Sequence, residues 1–107
     1  MNSKRKGNAG ELELLHALEA RGIQCRRNEQ GLLAGFAGGA GNPDISALVD
    51  GHRLHIEVKR AERFSLYKAL AQAQEDARGG DTPLVCYRAN RKPWTVVLSL
   101  DDFLRLV

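Results

Sequence analysis

Cysteine is scarce in this chain: 107 residues carry two, Cys25 and Cys86, too few and too far apart for a cysteine metal cluster. A disulfide between them is not expected in a reducing compartment, so both are read as core residues. Aromatic residues make up only 6 %. Trp94 and Tyr87 are read as core or edge packing, with stacking on an unpaired base as their other use. No run approaches the eighteen or so consecutive apolar residues of a membrane span. The basic start is not followed by the hydrophobic core of a secretion signal. The expectation is a soluble, cytoplasmic protein with no membrane partner. His16, His52 and His55 lack zinc spacing, and no internal repeat is visible.

What is present is basic and of single-domain size, so one domain over residues 1–107 is expected. The formal net charge is +3. Its distribution says more than its total: Lys4, Arg5 and Lys6, then Arg26 and Arg27, then Arg60 and Arg63, then Arg88, Arg91 and Lys92 form separate clusters suited to phosphate contacts. Scattered surface charge is the plainer reading of any one of them.

The chemistry concentrates in Asn42-Pro43-Asp44-Ile45 and, thirteen positions after its aspartate, Glu57-Val58-Lys59. In Arg53-Leu54-His55-Ile56-Glu57-Val58-Lys59-Arg60 apolar and polar residues alternate, the pattern of a half-buried strand. Successive strand side chains point to opposite faces, so Glu57 and Lys59 share one face while Leu54, Ile56 and Val58 fill the other. Asp44 opens a second apolar run, Ile45-Ser46-Ala47-Leu48-Val49, which ends at a hairpin signal, Asp50-Gly51. Asp44 lies six residues before Asp50 and Glu57 six after Gly51, so hairpin pairing brings the two carboxylates nearly opposite one another. Two carboxylates can share a hard divalent cation such as Mg²⁺, and a lysine beside them can position a water. Asp44 as a simple turn residue after Pro43 is the competing reading.

A third acid comes from the first helix, expected over about residues 8–21 with Gly22 as its stop. Leu14, Leu15 and Leu18 follow Glu11 at i+3, i+4 and i+7, which puts Glu11 at the head of the core-facing stripe. A carboxylate there needs a partner or a metal. A first-turn acid complementing the helix dipole is the alternative. Farther on, a helix over about 66–78, strands over 84–87 and 94–98 and a short capped helix from Ser99 to Leu106 are expected. The sum is an α/β fold of helix, three strands, helix, two strands and a short helix.

The order Glu11, Asp44, Glu57-x-Lys59 resembles the PD-(D/E)XK nuclease superfamily, in particular its small Holliday junction resolvase-like members of archaeal and phage type. The resemblance spans most of the chain. The stretch from Lys4 through Leu14 is similar to the basic leading segment (1–7) and glutamate-bearing first helix of these enzymes. Leu70-Ala71-Gln72-Ala73 resembles the helix that follows the motif lysine. Arg91-Lys92-Pro93-Trp94 and Asp101-Asp102-Phe103-Leu104 are similar to the closing strand and tail of phage versions, which makes a phage or prophage origin an expectation.

The resemblance implies a restriction-endonuclease-like αβββαβ core with a mixed central sheet flanked by helices. It implies catalytic Glu11, Asp44, Glu57 and Lys59, with Mg²⁺ on Asp44, Glu57 and the Val58 carbonyl, Glu11 completing the shell, and Mn²⁺ able to substitute. Gln72 is a candidate accessory residue, with an ordinary exposed glutamine as the alternative. Lys4, Arg5, Lys6, Arg26, Arg27 and Arg60 are the DNA-binding candidates. The implied enzyme is a structure-selective DNA endonuclease acting on branched or four-way junctions as a homodimer. Two alternatives remain: another nuclease of repair or restriction type on the same core, and a nucleic-acid-binding module that does not cleave. The glycine-rich stretch 31–41 departs from the pattern, standing where relatives carry a shorter turn. It is no P-loop, and it reads either as a bare connection or, through Leu32, Leu33 and Phe36, as a partner surface.

Overall fold

The protein is described by a computed structural model over residues 3–28 and 43–107, with the side chains of 3–7 outside the description. The glycine-rich stretch 31–41, Asn42 and the side chains of Lys4, Arg5 and Lys6 therefore lie outside the described residues. The elements run α1 (Ser3–Ala20), β1 (Gln24–Arg27), β2 (Ile45–Val49), β3 (His52–Arg60), α2 (Leu66–Asp76), β4 (Thr82–Arg88), β5 (Thr95–Val97) and α3 (Leu100–Leu106). Five strands form one mixed sheet in chain order. Only β3 and β4 are parallel, joined by α2, because a parallel pair needs a long crossover.

The helix α1 starts five residues before the expected Asn8. Asn8 gives no start signal because its Oδ1 accepts from Arg27 Nη2 at 3.0 Å. Its end follows the sequence. Gly22 takes φ 76°, Gly22 N donates to Glu19 O and Ile23 N to Leu18 O, the Schellman closure that a residue without Cβ makes easily. Gly10, inside the same helix, is there for space: a Cβ would lie 2.5 Å from Arg60 Cβ on β3.

Asp50 and Gly51 both have positive φ (50° and 82°), a two-residue turn whose twist matches a hairpin. The turn sets the register Ile45↔Ile56 and Ala47↔Leu54. One sheet face, with Ile45, Ala47, Ile56, Leu84 and Cys86, packs against Leu14 of α1. Burying side chains such as Ile45 and Ile56 stabilises by about 1.5–3 kcal/mol each. The opposite face over β3 and β4 is covered by α2, whose buried residues are the small Ala69 and Ala73. That helix ends two residues before the expected Arg78.

Cys25 and Cys86 are free thiols, and burial pushes the Cys86 thiol up to about 12. At α3, Ser99 accepts from Asp102 N at 3.1 Å, the expected cap. The same helix turns Leu100, Phe103, Leu104 and Val107 outward. Among the described residues no helix is long and apolar enough to cross a membrane.

Candidate active site

The hairpin register ends at Ile45↔Ile56. Asp44 N donates to Ile56 O at 3.0 Å, which ties Asp44 to β3 just beyond that pair, next to Glu57. Glu57 points away from the α1 side, since it follows Ile56 of the core face, while the Asp44 carboxyl feels both Glu57 and, on α1, Glu11. Asp44 Oδ2 accepts from Val58 N at 2.9 Å, which fixes the carboxylate against the motif strand. Lys59, two residues beyond Glu57, shares its face and is half-buried beside Tyr87.

Three acids converge here with too little positive charge to balance them. Burial first, then the charges of Glu57 and Glu11 and the contact with the Glu57 carboxyl, push Asp44 up to about 7, against the lowering pull of the Val58 N–H. A carboxyl raised mainly by burial and further by neighbouring carboxylates marks a candidate functional site. The donors are hard oxygens, which suit Mg²⁺ or Mn²⁺. Among the described residues no three His, Cys, Asp or Glu side chains stand close enough to hold a metal by themselves. Two carboxylates still fit a divalent ion that keeps several waters and takes phosphate oxygens from substrate.

The structure brings Glu11 to this end of the sheet, where it acts on Asp44, but gives it a partner of its own. Arg27 Nε donates to Glu11 Oε1 at 2.9 Å, and the guanidinium also holds Asn8. Arg27 was expected to face DNA phosphate. It instead compensates a carboxylate whose side chain is only 19 % exposed, because a half-buried charge with no partner is costly. Arg60 likewise turns inward, donating to Arg88 O and to Asn90 Oδ1. Arg26 is exposed and lines, with Gln24, Ser46, Leu48 and Arg53, an open groove of about 470 Å³ that runs to Pro43, next to Asp44. Gln72 is exposed on α2 and donates to Asp76 at 2.8 Å, one turn along the helix; that bond does not reach the carboxylates.

One histidine lies against the Glu57 carboxylate. His55 is 1 % exposed and its Nε2 lies 3.1 Å from Glu57 Oε1. Its place on the face of Glu57 and Lys59 was legible from alternation, but its burial was not, since Pro83 on β4 and the cover of α2 come from distant sequence.

A helix bearing an acid, a hairpin bearing an aspartate, and a glutamate and lysine two apart on the adjoining strand define a PD-(D/E)XK nuclease. The family described as "Phage putative PDDEXK endonuclease" matches residues 2–106, and the chain belongs to it. The fold is similar to that of Hjc, a Holliday junction resolvase of the archaeal hyperthermophile Archaeoglobus fulgidus, with a TM-score of 0.66 and 27 % identity over 87 % of this chain and 72 % of that one. No curated protein matches the chain in sequence.

Proposed function

We propose that the protein is a Mg²⁺-dependent, structure-selective DNA endonuclease, a Holliday junction resolvase with one nuclease domain over residues 1–107, acting in the cytoplasm as a homodimer. The observation that carries the nuclease chemistry is Asp44 held by Val58 N beside Glu57, with Lys59 on the face of Glu57. The preference for a four-way junction rests on the likeness to Hjc. Two copies suit a two-fold symmetric junction, and the outward stripe of α3 supplies apolar surface for the second copy.

Asp44, Glu57 and the Val58 carbonyl would hold Mg²⁺, with Glu11 completing the shell. Bound there, Mg²⁺ supplies Lewis-acid charge to a phosphodiester undergoing in-line attack. The chain's own residues do the rest. Val58 N holds the Asp44 carboxylate in one rotamer, and His55 holds Glu57. Lys59 offers an ammonium that orients the attacking water and steadies a phosphate oxygen. Arg27 keeps Glu11 near the two acids while offsetting its charge.

The test is cleavage of a labelled four-way junction and its matched linear duplex, with Mg²⁺ and with EDTA, by wild type and Asp44→Asn. Symmetric, Mg²⁺-dependent nicks at the junction alone, abolished in a variant that still binds DNA, are the expected result. Cutting of both substrates would replace the resolvase with a general nuclease of the same superfamily. Normal cutting by Asp44→Asn would remove Asp44 from the site.

A further inference from the structure

The parallel register Lys59↔Tyr87 and Arg60↔Arg88 ends β4 beside the motif lysine, so the chain leaves the sheet at the end that carries Asp44 and Glu57. Tyr87 pairs with Thr95 across the β4–β5 hairpin, a connection that two residues can make. Seven are used instead. Within them Arg91 adopts the left-handed region at φ 62°, which costs about 1–2 kcal/mol for a residue with a Cβ.

Such strain persists only where surrounding contacts enforce it, and here they come from four parts of the fold. Lys92 N donates to Ala89 O at 3.2 Å, and Arg88 Nε to Lys92 O at 2.6 Å. Arg60 on β3 reaches Asn90 Oδ1 at 2.9 Å, and Glu62 accepts from Asn90 N at 3.0 Å. Glu13 on α1 accepts from Arg88 at the start of the loop and from Trp94 Nε1, at its end, at 3.0 Å. The outcome of all this anchoring is two exposed cations, Arg91 and Lys92. Among the described residues neither enters an ion pair.

We propose that the loop 89–93 is a preformed clamp for the DNA strand beside the cleavage site, with Arg91 and Lys92 taking backbone phosphates. Arg60 is then a positioning residue that holds the loop. The inference rests on the nuclease reading and deepens it. From Glu57 to Arg60, level with the start of the loop, is three strand residues, roughly 10 Å at about 3.3 Å per residue. That reach spans about three nucleotides at 3.4 Å per strand step. The contacts carry no base preference, because the donors are a guanidinium and an ammonium on a rigid turn directed at phosphate. Preorganisation matters because a loop whose backbone is already anchored loses less conformational freedom on binding.

The test is anisotropy of a labelled four-way junction in EDTA over a series of salt concentrations, for wild type, Arg91→Ala with Lys92→Ala, and Lys68→Ala as an exposed cation on α2. Each lost phosphate contact lowers the slope of log K against log salt by about 0.9, so the double variant should lose about 2 from the slope and about 60-fold in affinity at 0.1 M salt. Lys68→Ala should leave the slope unchanged. Arg60→Met added to the double variant should not change the slope further if Arg60 acts through the loop; a further fall of about 1 would make it a phosphate contact. An unchanged slope in the double variant, or an equal fall in Lys68→Ala, overturns the clamp while leaving the nuclease reading intact. A wild type that neither binds nor cuts DNA overturns both.

Discussion

Asp44→Asn should make the metal-free protein more stable at pH 8 while abolishing its cleavage. Asp44 has an ordinary value of 3.8 and is pushed up to about 7 by burial and by Glu57 and Glu11. Because its folded value is raised, its contribution to stability is fully present below 3.8 and is lost as pH rises through about 7. At 1.36 kcal/mol per pH unit the full loss is about 4 kcal/mol, of which roughly 3 kcal/mol falls between pH 5 and pH 8. Asparagine has no charge to desolvate. Its amide oxygen can still accept from Val58 N, and its amide N–H can donate to Glu57 in place of a shared proton. Thermal melts in EDTA should therefore separate the variant from wild type by about 12–24 °C more at pH 8 than at pH 5, since 1 kcal/mol moves the midpoint of a domain this size by about 4–8 °C. Adding Mg²⁺ at pH 8 should raise the wild-type midpoint and narrow the gap, because a ligand of the folded state alone stabilises it by mass action. A gap of the same size at both pH values, or a variant less stable than wild type at pH 8, would refute the argument.

The Mg²⁺ concentration for half-maximal cleavage should fall as pH rises from 6 to 8, because binding must displace the proton on Asp44; a pH-independent midpoint in a kinetic titration would count against Asp44 as a ligand. His55→Gln should weaken Ca²⁺ binding, followed by calorimetry, by about 10- to 100-fold through the loosened Glu57 carboxylate, and unchanged affinity would reduce His55 to packing. Gly10→Ala should destabilise by about 1–3 kcal/mol in chemical denaturation despite the better helix propensity of alanine, because the added Cβ meets Arg60 Cβ at 2.5 Å; a stabilised variant would show that α1 can move freely off β3. Phe103→Glu should convert a dimer to a monomer in sedimentation while leaving DNA-free stability little changed, since Phe103 is 47 % exposed; a variant that still dimerises removes α3 from the interface.

Much of the site was legible because its signals are local. Alternation along Leu54 to Lys59 put Glu57 and Lys59 on one face, and the Asp50-Gly51 turn set the pairing through Ile45↔Ile56 that leaves Asp44 beside Glu57. Gly22 closed α1 and Ser99 opened α3 as their residue types require. The start of α1 was misjudged because Asn8 serves Arg27, nineteen residues away, and not its own helix. Arg27 and Arg60 were grouped with solvent-facing cations because charge clusters in a sequence do not reveal which acceptors fold back against them.

By itself, then, the sequence determined the α/β element order and the hairpin register, and put the candidate carboxylates and lysine on neighbouring segments, since turns, caps and a period of two act over a few residues. Only the tertiary structure decided that His55 is buried against Glu57, that Arg27 pairs with Glu11, that burial, Glu57 and Glu11 raise Asp44, and that Arg60 and Glu13 brace a strained basic loop. Those are contacts between segments far apart in the chain, where burial and charge balance are set by neighbours that leave no periodic trace in the residues themselves.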